Sequence, residues 1–276
     1  MAARSRSLKP GIFAVGQASI LHFQNGSWHS DSNKVDLSKD SLFGVRGKPG
    51  GTIVAVGGDG NGKALIVRSA DNGNSWFRVP LVDPGPLHAV WQEGQGPFFS
   101  VGVSGTGTYS ANVFQWTSAP TGVNTHLLAL TGGAGKLRAA GQIGLVLPSL
   151  DGIKWGPADV TDTKNDLWGA FTGPNGAAYF VGGALTVRFR AAVSDIWEKR
   201  DVPNLTGMFT FYAAWGSSDS EVYLACSSGV VFHTTNAGNS WVKEATLPIS
   251  NAHGIWGTGP SDVYVVGSGG SIFHGQ

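Results

Sequence analysis

The chain has 276 residues, of which 42 are glycine, and only 13% are charged. Nineteen basic and eighteen acidic side chains give a net charge of +1, which excludes the basic face that nucleic-acid binding requires. The longest apolar runs are far shorter than the roughly 18 residues of a membrane helix, so no membrane insertion is expected. A single cysteine, Cys226, excludes an internal disulfide framework and a cysteine-based zinc site.

A repeat with a period of about 40–45 residues runs through the sequence. Six units open with a head motif, usually an apolar residue, then Trp or Phe, then Gly (42–44, 90–92, 130–132, 167–169, 214–216 and 255–257). Seven second apolar runs follow (12–16, 53–57, 98–102, 137–141, 178–182, 221–226 and 262–267). Each is followed by a third short strand (20–23, 65–67, 113–115, 145–147, 186–189, 230–233 and 271–274). Six units then have a closing tryptophan: Trp28, Trp76, Trp116, Trp155, Trp197 and Trp241.

Four short strands in a unit of this length are typical of a β-propeller blade. Apolar residues do not follow a helical period over three turns anywhere, so no helices are expected. We predict an all-β chain forming a single β-propeller domain over 1–276, with four-stranded antiparallel blades. The seven second strands favour seven blades, and six blades with merged end units are the alternative. The predicted repeat units are 10–31, 40–80, 88–118, 126–157, 165–200, 212–244 and 252–276.

The two end units are incomplete, because the first lacks a head motif and the last lacks a closing strand. This is the pattern of a ring that is cut open within its blades. Residues 4–9 are the candidate for an N-terminal strand that completes the last blade and closes the ring.

One turn of the repeat has a specific pattern. Residues 69–76, SADNGNSW, fit Ser/Thr-x-Asp-x-Gly-x-Ser/Thr-Trp at every fixed position, residues 234–241 fit with Asn for Asp, and 149–155 are a shortened copy. These turns resemble the Asp-box, or BNR, propeller superfamily, which includes sialidases, xyloglucan-cleaving glycosidases, sortilin-type receptors and photosystem assembly factors. Residues 255–267 also resemble a bacterial repeat family with the pattern Trp-Gly-x4-Asp-Val-Tyr-x-Val-Gly.

The resemblance implies that these boxes lie at the periphery of the propeller, away from the ligand site. Within such a turn the Asp or Asn side chain accepts backbone N–H bonds, and Gly takes a positive φ. We therefore assign a structural role to Ser69, Asp71, Gly73, Trp76, Asp151, Trp155, Asn236, Gly238 and Trp241. The fixed places of the ten tryptophans in the repeat likewise assign most of them to the core.

Ligand-binding candidates come from the segments that lead into the head motifs, on the face where propellers usually bind ligands. Three residues before the head aromatics stand side chains that differ from unit to unit, with His126 close to this position in the degenerate unit. A purely structural position would keep its residue type, whereas a binding ring would vary it. The candidates are Asp40, His88, His126, Asn165, Tyr212 and His253, whose hydrogen-bonding groups suit a polyhydroxylated ligand.

An enzymatic alternative needs two carboxylates roughly 5–9.5 Å apart in one groove, as in glycoside hydrolases. Asp40, Asp162 and Asp166 are the candidates near the channel, although polar residues are also common before a strand. Their convergence would favour a glycoside hydrolase or lyase of an Asp-box family.

The sequence thus favours a non-enzymatic binding module for a carbohydrate or cell-surface glycan, with a protein-interaction or assembly-factor propeller as the alternative. No cofactor is expected, and the sequence does not indicate calcium. The partner is a glycan or a protein surface, and the oligomeric state is left open. No secretory signal is recognised, so localisation stays open between the cytoplasm and, for a processed fragment, the envelope or exterior.

Overall fold

The structure is a computed structural model that describes residues 11–81, 85–203 and 209–275. Seven small antiparallel sheets follow one another along the chain, and the fold is an all-β, seven-bladed β-propeller. Each predicted second strand belongs to a different sheet, so the prediction of seven blades is confirmed. No helix in the described part of the chain is both long and apolar enough to cross a membrane. The strand expected at 4–9 lies outside the described residues.

The chain forms two compact units. The first unit comprises Met1–Phe98 and Ser110–Trp116, and the second comprises Phe99–Tyr109 and Thr117–Gln276. The first three blades, in chain order, contain β1 (Ile12–Gly16), β2 (Ser19–Gln24) and β3 (Ser27–Ser30); β4 (Ser41–Lys48), β5 (Thr52–Gly58), β6 (Ala64–Ser69) and β7 (Phe77–Val79); and β8 (Leu87–Gln92), β9 (Phe98–Gly102), β10 (Gly107–Ser110) and β11 (Thr117–Ser118).

Blades 4 to 7 belong to the second unit. Their strands are β12 (Leu127–Gly133), β13 (Lys136–Gly141) and β14 (Val146–Ser149); β15 (Leu167–Thr172), β16 (Ala178–Gly182), β17 (Thr186–Arg190) and β18 (Glu198–Lys199); β19 (Phe211–Gly216), β20 (Val222–Cys226), β21 (Val230–Thr234) and β22 (Val242–Thr246); and β23 (Ala252–Gly259), β24 (Asp262–Gly267) and β25 (Ser271–Gly275). Single 3-10 turns lie at Ser32–Lys34, Val103–Gly105, Gln142–Gly144 and Ser268–Gly270.

The structure corrects one predicted strand. The third strand of the third unit is β10, not residues 113–115, which lie in the turn that follows it. Val113 has φ 61°, a left-handed conformation that an extended strand cannot contain. Four blades have four strands each, and blades 1, 4 and 7 have three strands each within the described residues. Within residues 11–275, blade 1 has no head strand and blade 7 has no closing strand, and the segment expected to complete blade 7 lies outside the described residues.

The first strand of blades 2 to 7 contains or adjoins the head motif, and we call it the head strand. Successive head strands lie next to one another within each unit: β4 and β8 in the first, and β12, β15, β19 and β23 in series in the second. Behind them, apolar side chains of adjacent blades pack together. Leu167 and Phe180 of blade 5, for example, join Ala140 and Val146 of blade 4 in one buried cluster.

Tyrosine hydroxyls also link successive blades of the second unit. The Tyr179 hydroxyl, on β16, donates a hydrogen bond of 2.7 Å to the carbonyl oxygen of Asp219 in blade 6. The Tyr223 hydroxyl, on β20, donates one of 2.9 Å to the carbonyl oxygen of Pro260 in blade 7. Each acceptor lies in the turn that follows the head strand of the next blade. The two junctions between blades are therefore formed by equivalent hydrogen bonds.

Candidate functional site

A β-bulge near the start of the head strand defines one equivalent position in the blades. In blade 5, Leu167 pairs with Gly182 and Gly169 pairs with Val181, so Trp168 is the extra residue. The same shift makes Phe43, Leu128, Tyr212 and His253 the bulge residues of β4, β12, β19 and β23. His88 has the same second place in β8 as Trp168 has in β15. A bulge reorients its extra side chain, which here leaves a varied, mostly aromatic set of residues at one position.

Three of these side chains form what we call the aromatic row in the second unit: Trp168, Tyr212 and His253. The Trp168 and Tyr212 rings meet edge to face, with centroids 6.3 Å apart and planes at 68°. The Tyr212 and His253 rings are 5.0 Å apart at 52°. Trp168 is 41% exposed and His253 is also exposed. Tyr212, between them, is half-buried. Such a partly exposed row of neighbouring aromatic rings is a surface suited to a ligand with apolar or aromatic groups.

The first unit contains a separate aromatic pair at the same bulge position. The Phe43 and His88 rings are nearly parallel, with centroids 5.3 Å apart and planes at 29°. Phe43 is 51% exposed and His88 is half-buried. The bulge therefore presents an aromatic surface in both units.

The predicted ring assumed that the head aromatics occupy equivalent positions in their strands, and the structure shows that they do not. Trp91, Trp215 and Trp256 lie three residues after the bulge, whereas Phe43 and Trp168 are themselves bulge residues. The residues that lie three before the head aromatics therefore belong to two different positions of the head strand. His88, Tyr212 and His253 do share one position, but Asp40 and Asn165 lie three residues before it.

Asp40 and Asn165 both use their polar groups within the fold. The Asp40 carboxylate is buried and forms an ion pair of 2.5 Å with the Arg78 guanidinium. The Asn165 side-chain amide donates to the Thr186 hydroxyl at 2.9 Å. These contacts give both residues a structural role.

His126 and Asp166 also bond to the protein itself, and in the same way. The Ser104 N–H donates to His126 Nδ1 at 3.1 Å, and the Ile143 N–H donates to Asp166 Oδ1 at 3.0 Å. Ser104 and Ile143 are the equivalent left-handed residues of the turns before β10 and β14. His126 and Asp166, two residues before their bulges, thus fix the turn of the preceding blade.

Asp162 lies in the segment between blades 4 and 5, four residues before Asp166. Its side chain is exposed, and its backbone carbonyl accepts a hydrogen bond of 2.8 Å from the Arg188 guanidinium. Asp40 belongs to the first unit, so the three predicted carboxylates are divided between the units. The described residues contain no group of three or more His, Cys, Asp or Glu side chains that could hold a metal ion.

The residues with predicted structural roles make local contacts in the turns that follow the third strands of blades 2, 4 and 6. In blade 2, Ser69 Oγ accepts the Gly73 N–H at 2.9 Å, and Asp71 Oδ1 accepts the Ser75 N–H at 2.9 Å. In blade 6, Thr234 Oγ1 accepts the Gly238 N–H at 3.0 Å. The equivalent bonds to Asn236 Oδ1, from Ser240, and to Asp151 Oδ1, from Lys154, are 2.9 and 2.7 Å long. Trp76 and Trp241 are buried, and Trp155 is half-buried.

The same hydrogen bonds lower the pKa of the two aspartates in these turns. Burial acts to raise the pKa of Asp71, but hydrogen bonds from Ser75 and Ser69 outweigh it, and the pKa lies below its ordinary value. For Asp151, the backbone N–H groups of Lys154 and Ile153 are the main cause of the lowered pKa. Both carboxylates are therefore held as local hydrogen-bond acceptors.

A fourth turn of this kind lies in blade 3 and was not predicted from the sequence. Ser110 Oγ accepts the Val113 N–H at 2.9 Å, and Asn112 Oδ1 accepts the Gln115 N–H at 3.0 Å. The turn was missed because Val113 occupies the left-handed position where the turn of blade 4 has Gly152. Ser110 and Trp116 flank it with the same spacing as Ser149 and Trp155, and this spacing could have revealed it.

Trp168 and Phe43 were also missed as candidate site residues, because the repeat assigned head aromatics to the core. A sequence signal was present, since both stand between a buried leucine and a glycine near the start of the strand, whereas Trp91, Trp215 and Trp256 follow Val, Ala or Ile deeper in it.

The fold and the surface of the head strands define the class of protein as a seven-bladed β-propeller, and solved structures agree. The chain is similar to YCF48 bound to a D1 peptide, with a TM-score of 0.77 and 17% identity, over 96% of this chain and 88% of that one. It is similar to YCF48 from Cyanidioschyzon merolae, with a TM-score of 0.75 and 15% identity, over 99% of this chain and 93% of that one. It is also similar to virginiamycin B lyase from Staphylococcus aureus, with a TM-score of 0.76 and 11% identity, over 94% of this chain and 87% of that one.

At these identities the similarities show the fold alone. No protein-family model matches the chain, and no curated protein matches it.

Proposed function

We propose that this protein is a non-enzymatic binding module that takes a segment of a protein partner on the aromatic row of Trp168, Tyr212 and His253. The observation that carries the proposal is the exposure of neighbouring aromatic rings at one bulge position of successive head strands. Tryptophan and tyrosine contribute more to protein interfaces than other residues do, because they bury large rigid areas.

The polar contacts of the predicted ring favour a protein segment over a glycan. Asp40, His126 and Asn165 of this ring each use at least one polar atom for a contact within the fold, as does the carboxylate candidate Asp166. A polyhydroxylated ligand needs several free, fixed hydrogen-bonding groups, whereas an extended segment with apolar side chains needs an aromatic surface. The fold similarity to YCF48, whose solved complex contains a D1 peptide, supports the same choice.

A carbohydrate is the second candidate, and one observation favours it. The Trp168 ring is half-exposed, the Tyr212 ring is its neighbour, and the His253 imidazole is the neighbour of Tyr212. A sugar ring can stack on an aromatic face while its hydroxyls bond to the polar groups of such a row.

The test is to screen the purified protein and its Trp168→Ala variant against a peptide library and a glycan array. We expect peptide binding by the wild type and at least a roughly tenfold loss of affinity in Trp168→Ala, as for an aromatic residue at the centre of an interface. Trp256→Ala is the matched control, because Trp256 is 38% exposed but lies farther along its head strand, after the bulge. Glycan binding that requires Trp168 would favour the second candidate, and equal losses in both variants would contradict the proposed surface.

A further inference from the structure

A shallow groove of about 400 Å³ lies in the second unit. Residues 143–145, in the turn before β14, form one side, and residues 159–164, in the segment between blades 4 and 5, form the other. The Ile143 N–H bonds to Asp166 Oδ1, and Asp166 is two residues before Trp168. The groove and the row are therefore joined by one hydrogen bond and one short stretch of strand.

Blade 3 contains the same loops with different side chains. Thr161 Oγ1 donates to the Gly144 carbonyl oxygen at 2.7 Å, as Thr121 Oγ1 donates to the Gly105 carbonyl oxygen at 2.7 Å. The backbone of the two blades thus matches at the groove. Where blade 3 has Ser104 and Gly122, blade 4 has Ile143 and Asp162.

Ile143 is strained and exposed at the same time. Its φ is 54°, a conformation that a β-branched residue adopts only at a cost, and its side chain is 65% exposed. The equivalent turns have smaller residues at this position: Ser104, Ala184, Ser228 and Gly269. Since packing inside the protein does not explain an exposed isoleucine here, the strain points to a contact with a ligand.

Asp162 also has a positive φ, 51°, at the place where blade 3 has Gly122 at 84°. Within the described chain its carboxylate has no hydrogen bond or ion pair, although its backbone carbonyl bonds to Arg188. Val160, which is 79% exposed, continues the apolar side of the groove. The groove thus combines an aliphatic wall with a free carboxylate.

We infer that this groove is a second subsite, which takes a lysine or arginine side chain of the protein segment bound at the aromatic row. The aliphatic stem of such a side chain fits Ile143 and Val160, and its cationic group complements the Asp162 carboxylate. Lys164 also lines the groove and opposes this cation, whereas Asp159 is already paired with Arg190 at 3.0 Å. The inference rests on the proposed function and adds the chemistry of one ligand residue.

The test uses a capped peptide library in which one position holds lysine, arginine, norleucine or glutamate. We expect the wild type to prefer the lysine and arginine pools over norleucine, which has the stem without the charge. Asp162→Asn should reduce the preference for lysine and arginine over norleucine about tenfold, and Lys164→Gln should increase this preference a few-fold. The two variants change the groove's charge in opposite directions.

A second measurement uses the strain at Ile143. Ile143→Asn should raise the Tm by about 2 °C, because asparagine tolerates a positive φ, and should weaken binding of the lysine pool. Ser104→Asn is the matched control, since it changes the equivalent turn of blade 3 and should leave binding unchanged.

The outcomes separate the two proposals. Peptide binding that needs Trp168 but shows equal affinity for the lysine and norleucine pools would overturn the subsite and leave the proposed function standing. An unchanged lysine preference in Asp162→Asn would do the same. A wild type that binds no peptide pool would overturn both.

Discussion

At the scale of single residues, the second-strand residue that pairs just before the bulge determines how closely the bulge can pack. In blade 5, a Cβ on Gly182 would lie 1.9 Å from the Asp166 carbonyl oxygen. Gly57, Gly141 and Gly267 meet the backbone in the same way. In blade 6 this position is Cys226, which pairs with Phe211 as Gly182 pairs with Leu167, and its side chain is fully buried. The backbone of blade 6 therefore leaves room for a side chain that the backbones of blades 2, 4, 5 and 7 exclude at this position.

Gly182→Ala should accordingly destabilise the protein by about 1–3 kcal/mol, because the new methyl group must displace a backbone carbonyl. Cys226→Ala, at the equivalent position, should cost about 1 kcal/mol or less through the loss of a small buried group. Urea denaturation of both variants measures the difference. Equal losses would show that the two blades have the same backbone spacing at this point.

At the scale of structural elements, the turns that follow the third strands of blades 2, 3, 4 and 6 use either Asp or Asn as the acceptor. Asp71 and Asp151 titrate, whereas Asn112 and Asn236 make the same backbone bonds without a charge. The pKa of each aspartate is lowered in the fold, so each contributes stability when ionised. That contribution is complete above the unfolded pKa of about 3.9 and is lost as the pH falls through the lower, folded pKa.

The Tm of the double variant Asp71→Asn/Asp151→Asn should therefore fall less than the Tm of the wild type when the pH is lowered from about 5 to about 2. Thermal unfolding followed by circular dichroism at several pH values measures this. At neutral pH the two proteins should differ little, since the asparagines of blades 3 and 6 support equivalent turns. A steeper acid loss in the double variant would contradict the direction of the pKa shifts.

The same elements show how far the sequence could predict the candidate site. The strands themselves were predictable, because short apolar runs closed by glycine recur in each unit. The bulge was not, since an extra residue is visible only in the pairing of β15 with β16, and Trp168 therefore aligned with Trp215 instead of Tyr212. Ile143 could not be predicted from the sequence as a site residue either, because its exposure and positive φ depend on the turn that surrounds it.

At the scale of the whole molecule, seven second strands predicted seven blades because each blade has one strand of this kind, whereas head motifs and closing tryptophans are missing at the chain ends. Repetition thus predicted the architecture far better than the ligand, since a ligand site consists of departures from the repeat. The aromatic row and the groove of blade 4 are two such departures.

The stability of the fold should not depend on a metal ion. The described residues offer no group of three metal-ligating side chains, and the acidic turn residues Asp71 and Asp151 are occupied by local donors. We expect the same Tm, within about 1 °C, in calcium and in EDTA, measured by differential scanning fluorimetry. An upward shift in calcium that Asp71→Asn abolishes would place an ion in the turn of blade 2.

The tyrosine bonds between blades have a consequence for how such a chain can change length. Tyr179 and Tyr223 each supply a hydroxyl to the following blade, and the turn that receives it belongs to the head of that blade. The gene segment that encodes blade 6 therefore carries both a donor for its successor and an acceptor for its predecessor. Duplication or deletion of such a segment would leave these junctions complete, so blade number can vary during evolution without compensating mutations at them.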